Sequence, residues 1–258
     1  MQARFGELRH YCMFVGTPRS GHSLIGGLLD AHPDAVIAHE AGALRYLTAR
    51  FGRERLFRIL LDNARARAGE GRTSGEYSYR VPGQWQGRHR ELRVIGDKQA
   101  EGATLRLRAR PWLLDRVRDT VALPIRVLHV VRNPFDNIAT MARRAAAGDV
   151  AEADLTEATD RYFALSDTVA EIRSRLGADE WIELRHEAFL TRPKDGLRAL
   201  CERLELEADE AYLEACAGIV YDSPHRSRDG APWTGRTLDA ITDRMAGHPH
   251  LSGYRFDA

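Results

Sequence analysis

The segment Gly16-Thr17-Pro18-Arg19-Ser20-Gly21-His22-Ser23 connects two apolar runs, Tyr11–Val15 before it and Leu24–Leu29 after it. An apolar strand, a glycine-containing loop and a helix in this order are typical of a phosphate-binding loop. The backbone N–H groups of such a loop converge on an anion, and the N-terminus of the helix adds a partial positive charge. In nucleotide triphosphatases a lysine precedes the final Ser or Thr. Here that residue is His22, and the positive charge inside the loop is Arg19. The sequence therefore predicts a site for a phosphate-like group other than the γ-phosphate of ATP.

The composition narrows the class of protein. The chain has 258 residues and a net charge of +1, so no bulk attraction to nucleic acid or to a membrane surface is expected. Its three cysteines have no metal-type spacing, and neither a secretory signal nor a membrane-length apolar run is visible. These features predict a cytoplasmic protein with reduced, buried thiols and no metal. The length fits a single α/β domain over residues 1–258.

Short apolar segments alternate with longer helical patterns, which predicts an α/β fold: a parallel sheet of the phosphate-loop type flanked by helices. The strand candidates are Tyr11–Gly16, Ala35–Ala38, Leu92–Gly96, Arg126–Val131 and Trp181–Leu184. The helix candidates are Ser23–Ala31, Glu54–Ala68, Pro134–Ala147, Leu155–Leu176 and Lys194–Glu205.

Two stretches lack a clear period. The first, Ala68–Arg90, carries Tyr77, Tyr79 and Trp85 and is interpreted as a long mobile loop at a substrate entrance. Its aromatic side chains either line an acceptor pocket or pin the loop to the core. The second, Tyr221–Thr237, is rich in Ser, Arg, Gly and Pro and is also predicted to be irregular.

Charged or phosphate-binding residues follow four of the predicted strands. The loop after the first strand is joined by His39-Glu40, Gly96-Asp97-Lys98 and Arg132-Asn133-Pro134, each at the end of its strand. Ligands of open parallel sheets bind outside the carboxyl ends of the strands. The four segments are therefore predicted to meet at one edge of the sheet and to form one site.

The last of these segments suggests a second phosphate site. Pro134 suits the first position of a helix, and Asp136, Thr140 and Arg144 follow at intervals of four on one helix face. Arg132 with Thr140 and Arg144 would bind a phosphate through charge-assisted hydrogen bonds. The alternative is that Arg132 caps the strand end and pairs with Asp136.

Together these blocks resemble the sulfotransferases that use 3′-phosphoadenosine 5′-phosphosulfate, in particular the Pro-Arg-Ser-Gly branch with the tyrosylprotein sulfotransferases and many bacterial enzymes. The resemblance covers scattered blocks from residue 12 to about residue 256. It implies that this nucleotide is the sulfuryl donor and that the reaction requires no metal. The 5′-phosphosulfate would be bound by the first loop. The 3′-phosphate would be bound by Arg132, Thr140, Arg144 and a closing loop at Ser223–Trp233, the C-terminal loop. The implied donor contacts are Pro18, Arg19, Ser20, Gly21, His22, Ser23, Arg132, Thr140, Arg144, Arg226, Ser227 and Arg228.

The resemblance also implies the catalytic residues. Glu40 aligns with the catalytic glutamate of the tyrosylprotein branch and would act as the general base for a hydroxyl acceptor. The alternatives are that Glu40 is an ordinary helix-start glutamate, or that His39 is the base. Arg19 and Lys98 would balance charge on the transferred group and the leaving phosphate. His22 departs from the branch, which usually has a threonine there, and His186 replaces a frequent tyrosine.

Two other classes of protein are weighed against this interpretation. A phosphate-loop kinase of a small molecule or nucleotide would use ATP with Mg²⁺ and keep the missing lysine. A non-catalytic nucleotide-binding protein would share the fold without turnover. A small-molecule hydroxyl acceptor is expected, but the sequence leaves its identity and the oligomeric state open.

Overall fold

The computed structural model describes residues 5–74, 77–146, 148–221 and 223–257. Its centre is a five-stranded parallel sheet in the spatial order β2-β5-β1-β6-β7, and a two-stranded antiparallel hairpin, β3-β4, lies apart from it. The strands are β1 (His10–Val15), β2 (Ala35–His39), β3 (Thr73–Ser74), β4 (Tyr77–Ser78), β5 (Val94–Lys98), β6 (Ile125–Val131) and β7 (Trp181–Arg185). All five predicted strands are present, and the predicted fold class is confirmed.

Eleven helices are found in the described residues and pack around this sheet. They are α1 (His22–Asp30), α2 (Ala43–Thr48), α3 (Arg53–Gly69), α4 (Ala100–Ala109), α5 (Leu113–Val121), α6 (Pro134–Ala145), α7 (Glu152–Ser174), α8 (His186–Thr191), α9 (Pro193–Arg203), α10 (Glu210–Ala217) and α11 (Gly235–Met245). The five predicted helices correspond to α1, α3, α6, α7 and α9. Helix α6 ends at Ala145, and the predicted end at Ala147 lies outside the described residues.

The central strand β1 is buried along its whole length because it has a neighbour on each side and helices on both faces. Its side chains alternate between two cores, as a strand requires. Met13 and Val15 belong to the core that includes α3 and α5, and Cys12 and Phe14 belong to the core that includes α1, α9 and α10. All three cysteines of the chain are buried free thiols.

The stretch 68–90, expected to be a long loop, includes the end of α3 and the hairpin β3-β4 over the described residues. Arg72 in this stretch forms a buried ion pair of 2.7 Å with Asp30 at the end of α1. Gln86 Nε2 donates a hydrogen bond of 2.9 Å to the Gly27 carbonyl. The stretch is therefore anchored along α1, and residues 75–76 within it lie outside the described residues.

The second irregular stretch is only partly irregular. It contains a single 3₁₀ turn at Ser227–Gly230 and the start of α11, and residue 222 lies outside the described residues. In the part of the chain that the structure describes, no helix is both long enough and apolar enough to cross a membrane.

Candidate active site

The loop between β1 and α1 has a tightly wound backbone. Gly16, Arg19 and Gly21 have positive φ angles of 138°, 68° and 97°. Glycine adopts such angles freely, but for Arg19 the left-handed conformation is strained. The Gly16 N–H donates a hydrogen bond of 2.8 Å to Thr104 Oγ1 in α4, which fixes the start of the loop. Arg19 itself is exposed, so its guanidinium is accessible to a ligand.

A side chain that the sequence did not single out supports this loop from below. Asn137 in α6 is fully buried, and its Nδ2 lies within 2.8 Å of Thr17 Oγ1 and of Ser20 Oγ, and 3.2 Å from the Pro18 carbonyl. Thr17 and Ser20 also bond each other through their hydroxyls at 2.9 Å. Ser20 Oγ is thus engaged within the loop.

The ring of His22 lies beneath the loop. Its Nε2 is 3.2 Å from the Val15 carbonyl and 3.4 Å from the Val130 N–H, so these two strands engage it. Burial lowers its pKa well below the ordinary value, and nearby His129 and Lys98 lower it further. The ring is therefore neutral. The predicted phosphate contact of His22 is left to its backbone N–H.

Lys98, at the end of β5, connects three of the predicted segments. Its buried Nζ donates to Ser23 Oγ at 3.0 Å and to Glu40 Oε1 at 2.7 Å. β2 and β5 are neighbours and place His39 opposite Lys98. The Glu40 side chain remains 57% exposed, so one carboxylate is held by a buried cation yet open to a substrate. The Lys98 stem passes α1 at Gly26, where a Cβ would lie 2.9 Å from Lys98 Cγ.

The electrostatics of the Lys98–Glu40 ion pair differ at the two candidate bases, Glu40 and His39. Burial alone would raise the pKa of Glu40, but the attraction and hydrogen bond of Lys98 outweigh it and hold the pKa below its ordinary value. Burial lowers the pKa of Lys98, although Glu40 counteracts it. Burial, with Lys98 adding to it, also lowers the pKa of His39 to about 4. His39 is buried and Glu40 is half-open, so the geometry favours Glu40.

Asp97 fixes the backbone directly after Glu40. Its carboxylate accepts hydrogen bonds from the N–H groups of Ala41 at 3.0 Å, Gly42 at 2.9 Å and Ala43 at 2.8 Å. Glu40 has a positive φ of 56°, and its own N–H donates to the Lys98 carbonyl at 2.9 Å. The Gly-Asp-Lys segment thus supplies one side chain that holds the Glu40 turn and one that contacts the Glu40 carboxylate.

The predicted second phosphate site is centred on Arg132. This guanidinium is largely buried and donates to the carbonyls of Arg19 at 3.2 Å and His225 at 2.6 Å. A longer contact of 3.4 Å reaches Ser227 Oγ. Its Nε is buried without a hydrogen-bond partner among the described residues. Arg132 therefore lies between the first loop and the C-terminal loop, with its Nε–H unpaired among the described residues.

The alternative pairing of Arg132 with Asp136 is not what the structure shows. Asp136 forms a buried ion pair of 2.6 Å with Arg228 and accepts the Arg228 N–H at 2.9 Å. The Oγ1 of Thr140 donates to the Asp136 carbonyl at 2.7 Å. Arg228 is thus engaged in attaching the C-terminal loop to α6, and Thr140 lies in the next turn.

Two other predicted arginines lie at the periphery. Arg144 is exposed, and it is Arg143 that contacts the C-terminal loop, donating to the Ser227 carbonyl at 3.0 Å. Arg226 is exposed and pairs with Asp229 inside its own turn at 3.1 Å. Arg143, the neighbour of Arg144, was not among the predicted donor contacts.

His186, at the start of α8, lies against the N-terminus of α1. A Cβ built on Gly21 would fall 2.4 Å from His186 Nδ1, so only glycine fits there. Its Nδ1 is buried and has no hydrogen-bond partner among the described residues. Burial, with the nearby charge of Arg132, lowers the pKa of His186 to about 3.

Tyrosines gather beside the loop. The rings of Tyr77 and Tyr221, which are exposed, meet edge to face at 6.1 Å, and the Tyr79 Cβ packs on Gly27. Trp85 lies elsewhere: its N–H donates to the Ala31 carbonyl at the far end of α1. Nine helical residues separate that end from the loop by about 13 Å. The backbone of Trp85 therefore attaches its segment to the end of α1.

The carboxyl edge of the sheet brings together a strained loop with an accessible arginine, a lysine–glutamate pair and a clamped arginine. No group of three or more His, Cys, Asp or Glu side chains suited to a metal ion occurs among the described residues. The arrangement can bind one anionic group at the phosphate loop, where the Arg19 side chain is exposed, and a second at Arg132, which contacts the Arg19 carbonyl. It presents the Glu40 carboxylate beside the first of these.

Comparisons with known proteins find a family match over part of the chain and similar folds. The model of the sulfotransferase family matches residues 124–210, from β6 to the start of α10. No curated protein matches the sequence significantly.

Similar solved structures share the fold. The sulfotransferase domain from the curacin biosynthetic pathway is 12% identical with a TM-score of 0.56, over 93% of this chain and 99% of that one. A sulfotransferase from Alicyclobacillus acidocaldarius is 18% identical with a TM-score of 0.52, over 94% of each chain. Mouse sulfotransferase SULT7A1, complexed with PAP, is 10% identical with a TM-score of 0.52, over 98% of this chain and 86% of that one.

Proposed function

We propose that the chain is a sulfotransferase that transfers a sulfuryl group from 3′-phosphoadenosine 5′-phosphosulfate to a hydroxyl acceptor, with Glu40 as the general base. The family-model match over residues 124–210 and the sulfotransferase folds of similar structure support the proposal. One observation carries the proposal. Lys98 Nζ contacts both Ser23 of the phosphate loop and the Glu40 carboxylate, so the cation, the loop and the base meet at one point.

The residues present suit a nucleotide with two separate phosphate groups. The loop offers backbone N–H groups, the N-terminus of α1 and the exposed Arg19 to the 5′ end. Arg132 has a buried Nε without a partner and lies against the C-terminal loop at Ser227. A 3′-phosphate there would receive charge-assisted hydrogen bonds. A donor with both groups would therefore bridge the loop and α6.

In the proposed reaction each charged side chain of the site has one role. Glu40 accepts the proton of the acceptor hydroxyl, whose oxygen forms the new S–O bond as the S–O bond to the 5′-phosphate breaks. The electron pair of the broken bond remains on the phosphate. Arg19 and Lys98 would balance that charge. The ion pair with Lys98 keeps Glu40 ionised, and the attraction of Lys98 to an incoming anion would free the carboxylate to act as a base.

Donor specificity tests the proposal first. Calorimetric titration with 3′-phosphoadenosine 5′-phosphate, without metal, should show tight binding, whereas ATP with Mg²⁺ should bind weakly. Arg132→Ala should weaken the bisphosphate roughly 10- to 100-fold, the worth of a charge-assisted contact, and weaken AMP much less. Arg65→Ala removes an exposed arginine that pairs within α3 and serves as the matched control. Preference for ATP with Mg²⁺, or indifference to Arg132→Ala, would favour the kinase interpretation.

Turnover is the second test. With labelled donor, a panel of phenols, sugars and aliphatic alcohols identifies the acceptor class. Glu40→Gln should then lower kcat by about 10²- to 10⁴-fold, the usual contribution of a general base, while the affinity for the bisphosphate stays within a factor of about two. A retained kcat in this variant would exclude Glu40 as the base, and His39→Gln would be tested next.

A further inference from the structure

The buried amide of Asn137 contacts the phosphate loop on both sides of Arg19. On one side its Nδ2 lies within hydrogen-bond distance of Thr17 Oγ1 and the Pro18 carbonyl, and on the other within 2.8 Å of Ser20 Oγ. The Pro18 carbonyl can only accept a hydrogen bond, so the amide nitrogen must face the loop. The opposite atom, Asn137 Oδ1, is buried and has no hydrogen-bond partner among the described residues.

The residue between these contacts has a strained backbone. Arg19 has a φ of 68°, a left-handed conformation that costs free energy for any residue with a Cβ. Such strain persists only where the surrounding structure over-determines the conformation. Asn137 is a buried side chain placed to contribute to this constraint, because it contacts the residues immediately before and after Arg19.

The same short segment of chain also contacts Arg19 from the second phosphate site. Arg132 donates to the Arg19 carbonyl at 3.2 Å, and five residues later Asn137 contacts the flanking residues. The left-handed turn directs the Arg19 carbonyl towards Arg132 while the Arg19 side chain stays exposed. The loop conformation and the orientation of Arg132 are therefore determined together.

We propose that Asn137 is a positioning residue that holds Arg19 in its left-handed conformation and thereby couples the two phosphate subsites. The inference rests on the proposed donor. In this arrangement the loop that binds the 5′ end and the guanidinium that binds the 3′-phosphate share one buried support. Loss of that support affects the binding of both phosphate groups, although Asn137 contacts the loop from the side of α6.

The test is a double-mutant cycle read by calorimetry with 3′-phosphoadenosine 5′-phosphate and with AMP. Asn137→Ala should weaken the bisphosphate about tenfold, the worth of one or two hydrogen bonds, and narrow the ratio of its affinity to that of AMP. Arg19→Gly removes the guanidinium and also the backbone strain. In the Arg19→Gly background, adding Asn137→Ala should therefore change the affinity by no more than about twofold.

Tyr212→Phe is the matched stability control. It removes a buried hydrogen bond of 2.9 Å to the Leu28 carbonyl, away from the loop, and should leave both affinities unchanged. If Asn137→Ala does not fold, Asn137→Asp is used in the same cycle. It keeps the shape of the side chain but places an acceptor oxygen against the Pro18 carbonyl in place of the donor nitrogen. Independent, multiplying effects of the two substitutions would overturn the coupling. So would an unchanged affinity in the Asn137 variants.

The two proposals fail in different ways. If the wild-type protein does not bind the bisphosphate, the proposed donor is wrong. If the wild type binds it, Arg132→Ala weakens it and the Asn137 cycle is additive, the donor stands and only the positioning role of Asn137 is refuted.

Discussion

The turn that follows Glu40 depends on one carboxylate, and its removal has a magnitude that the structure defines. Asp97 is 4% exposed and accepts three backbone N–H groups, those of residues 41–43, at 2.8–3.0 Å. Asp97→Ala leaves three donors without this acceptor. A buried donor left unsatisfied costs about 1–3 kcal/mol, so the gross loss is roughly 3–9 kcal/mol.

A second effect reduces that figure. Burial raises the pKa of Asp97 in spite of the three hydrogen bonds, which means that the ionised carboxylate is itself poorly solvated in the folded protein. Removing it relieves this cost, and water enters the space it vacates. We therefore expect the free energy of unfolding to fall by about 3–5 kcal/mol for Asp97→Ala, and by about 1–2 kcal/mol for Asp97→Asn, which keeps one acceptor.

Urea unfolding at neutral pH measures the change from the midpoint, with the m-value checked for constancy. The control is Asp160→Ala, which removes a carboxylate that is 72% exposed and pairs with Arg244. That variant should lose no more than about 1 kcal/mol. Equal losses in Asp97→Ala and Asp160→Ala would refute the argument. Asp97→Asn, which should still fold, should lower kcat more than it lowers donor affinity, because the Glu40 turn loosens while the phosphate loop does not change.

Two further predictions concern stability alone. A Cβ on Gly96 would lie 2.2 Å from the Cys12 carbonyl oxygen in the neighbouring strand, so Gly96→Ala should destabilise the fold by about 3 kcal/mol or more in urea unfolding. Gly69→Ala, where no atom lies within 4 Å, should be neutral or slightly stabilising, and similar losses for both would contradict the close approach of β1 and β5. Burial lowers the pKa values of His22, His186 and His250, the last two to about 3. Between about pH 6.5 and pH 4 the unfolded chain therefore protonates these rings and the folded protein does not. Each ring then subtracts up to about 1.4 kcal/mol per pH unit from the free energy of unfolding as the pH falls. His250→Gln should make this pH dependence shallower, and an unchanged slope would show that His250 is not buried neutral.

The sheet was predictable because its strands are short apolar runs between turn residues, and all five were found from the sequence. Helices α2, α4, α5, α8, α10 and α11 were not predicted. In α4 the buried face consists of Ala100, Ala103, Thr104 and Leu107, at helical spacing but mostly small, so the apolar pattern is weak. In α6 the start was predictable from Pro134, and the structure adds that the Asn133 side chain accepts the Phe135 N–H as the N-cap.

The sequence predicted those residues of the candidate site that lie at or after the ends of strands. Arg19, Glu40, Lys98 and Arg132 follow predicted strands, and the parallel sheet brings them to one edge. The partners of these residues were not predictable, because a mid-helix asparagine such as Asn137 has the same local sequence signature whether it faces solvent or a loop. The sequence also leaves open which arginine of α6 reaches the C-terminal loop, since one residue turns a helix by about 100°.

Asn137 and Asp97, for which the sequence predicted no role, support the backbone at two proposed catalytic residues. Arg19 and Glu40 are two of the non-glycine residues with positive φ in the described chain, at 68° and 56°. Each is held by a buried polar side chain from a neighbouring element: Asn137 of α6 contacts the residues flanking Arg19, and Asp97 of β5 contacts the backbone after Glu40. Strained conformations at reactive positions require such external support. The positions of the proposed catalytic groups are thus determined by long-range hydrogen bonds to the backbone around them, and local sequence alone cannot specify those bonds.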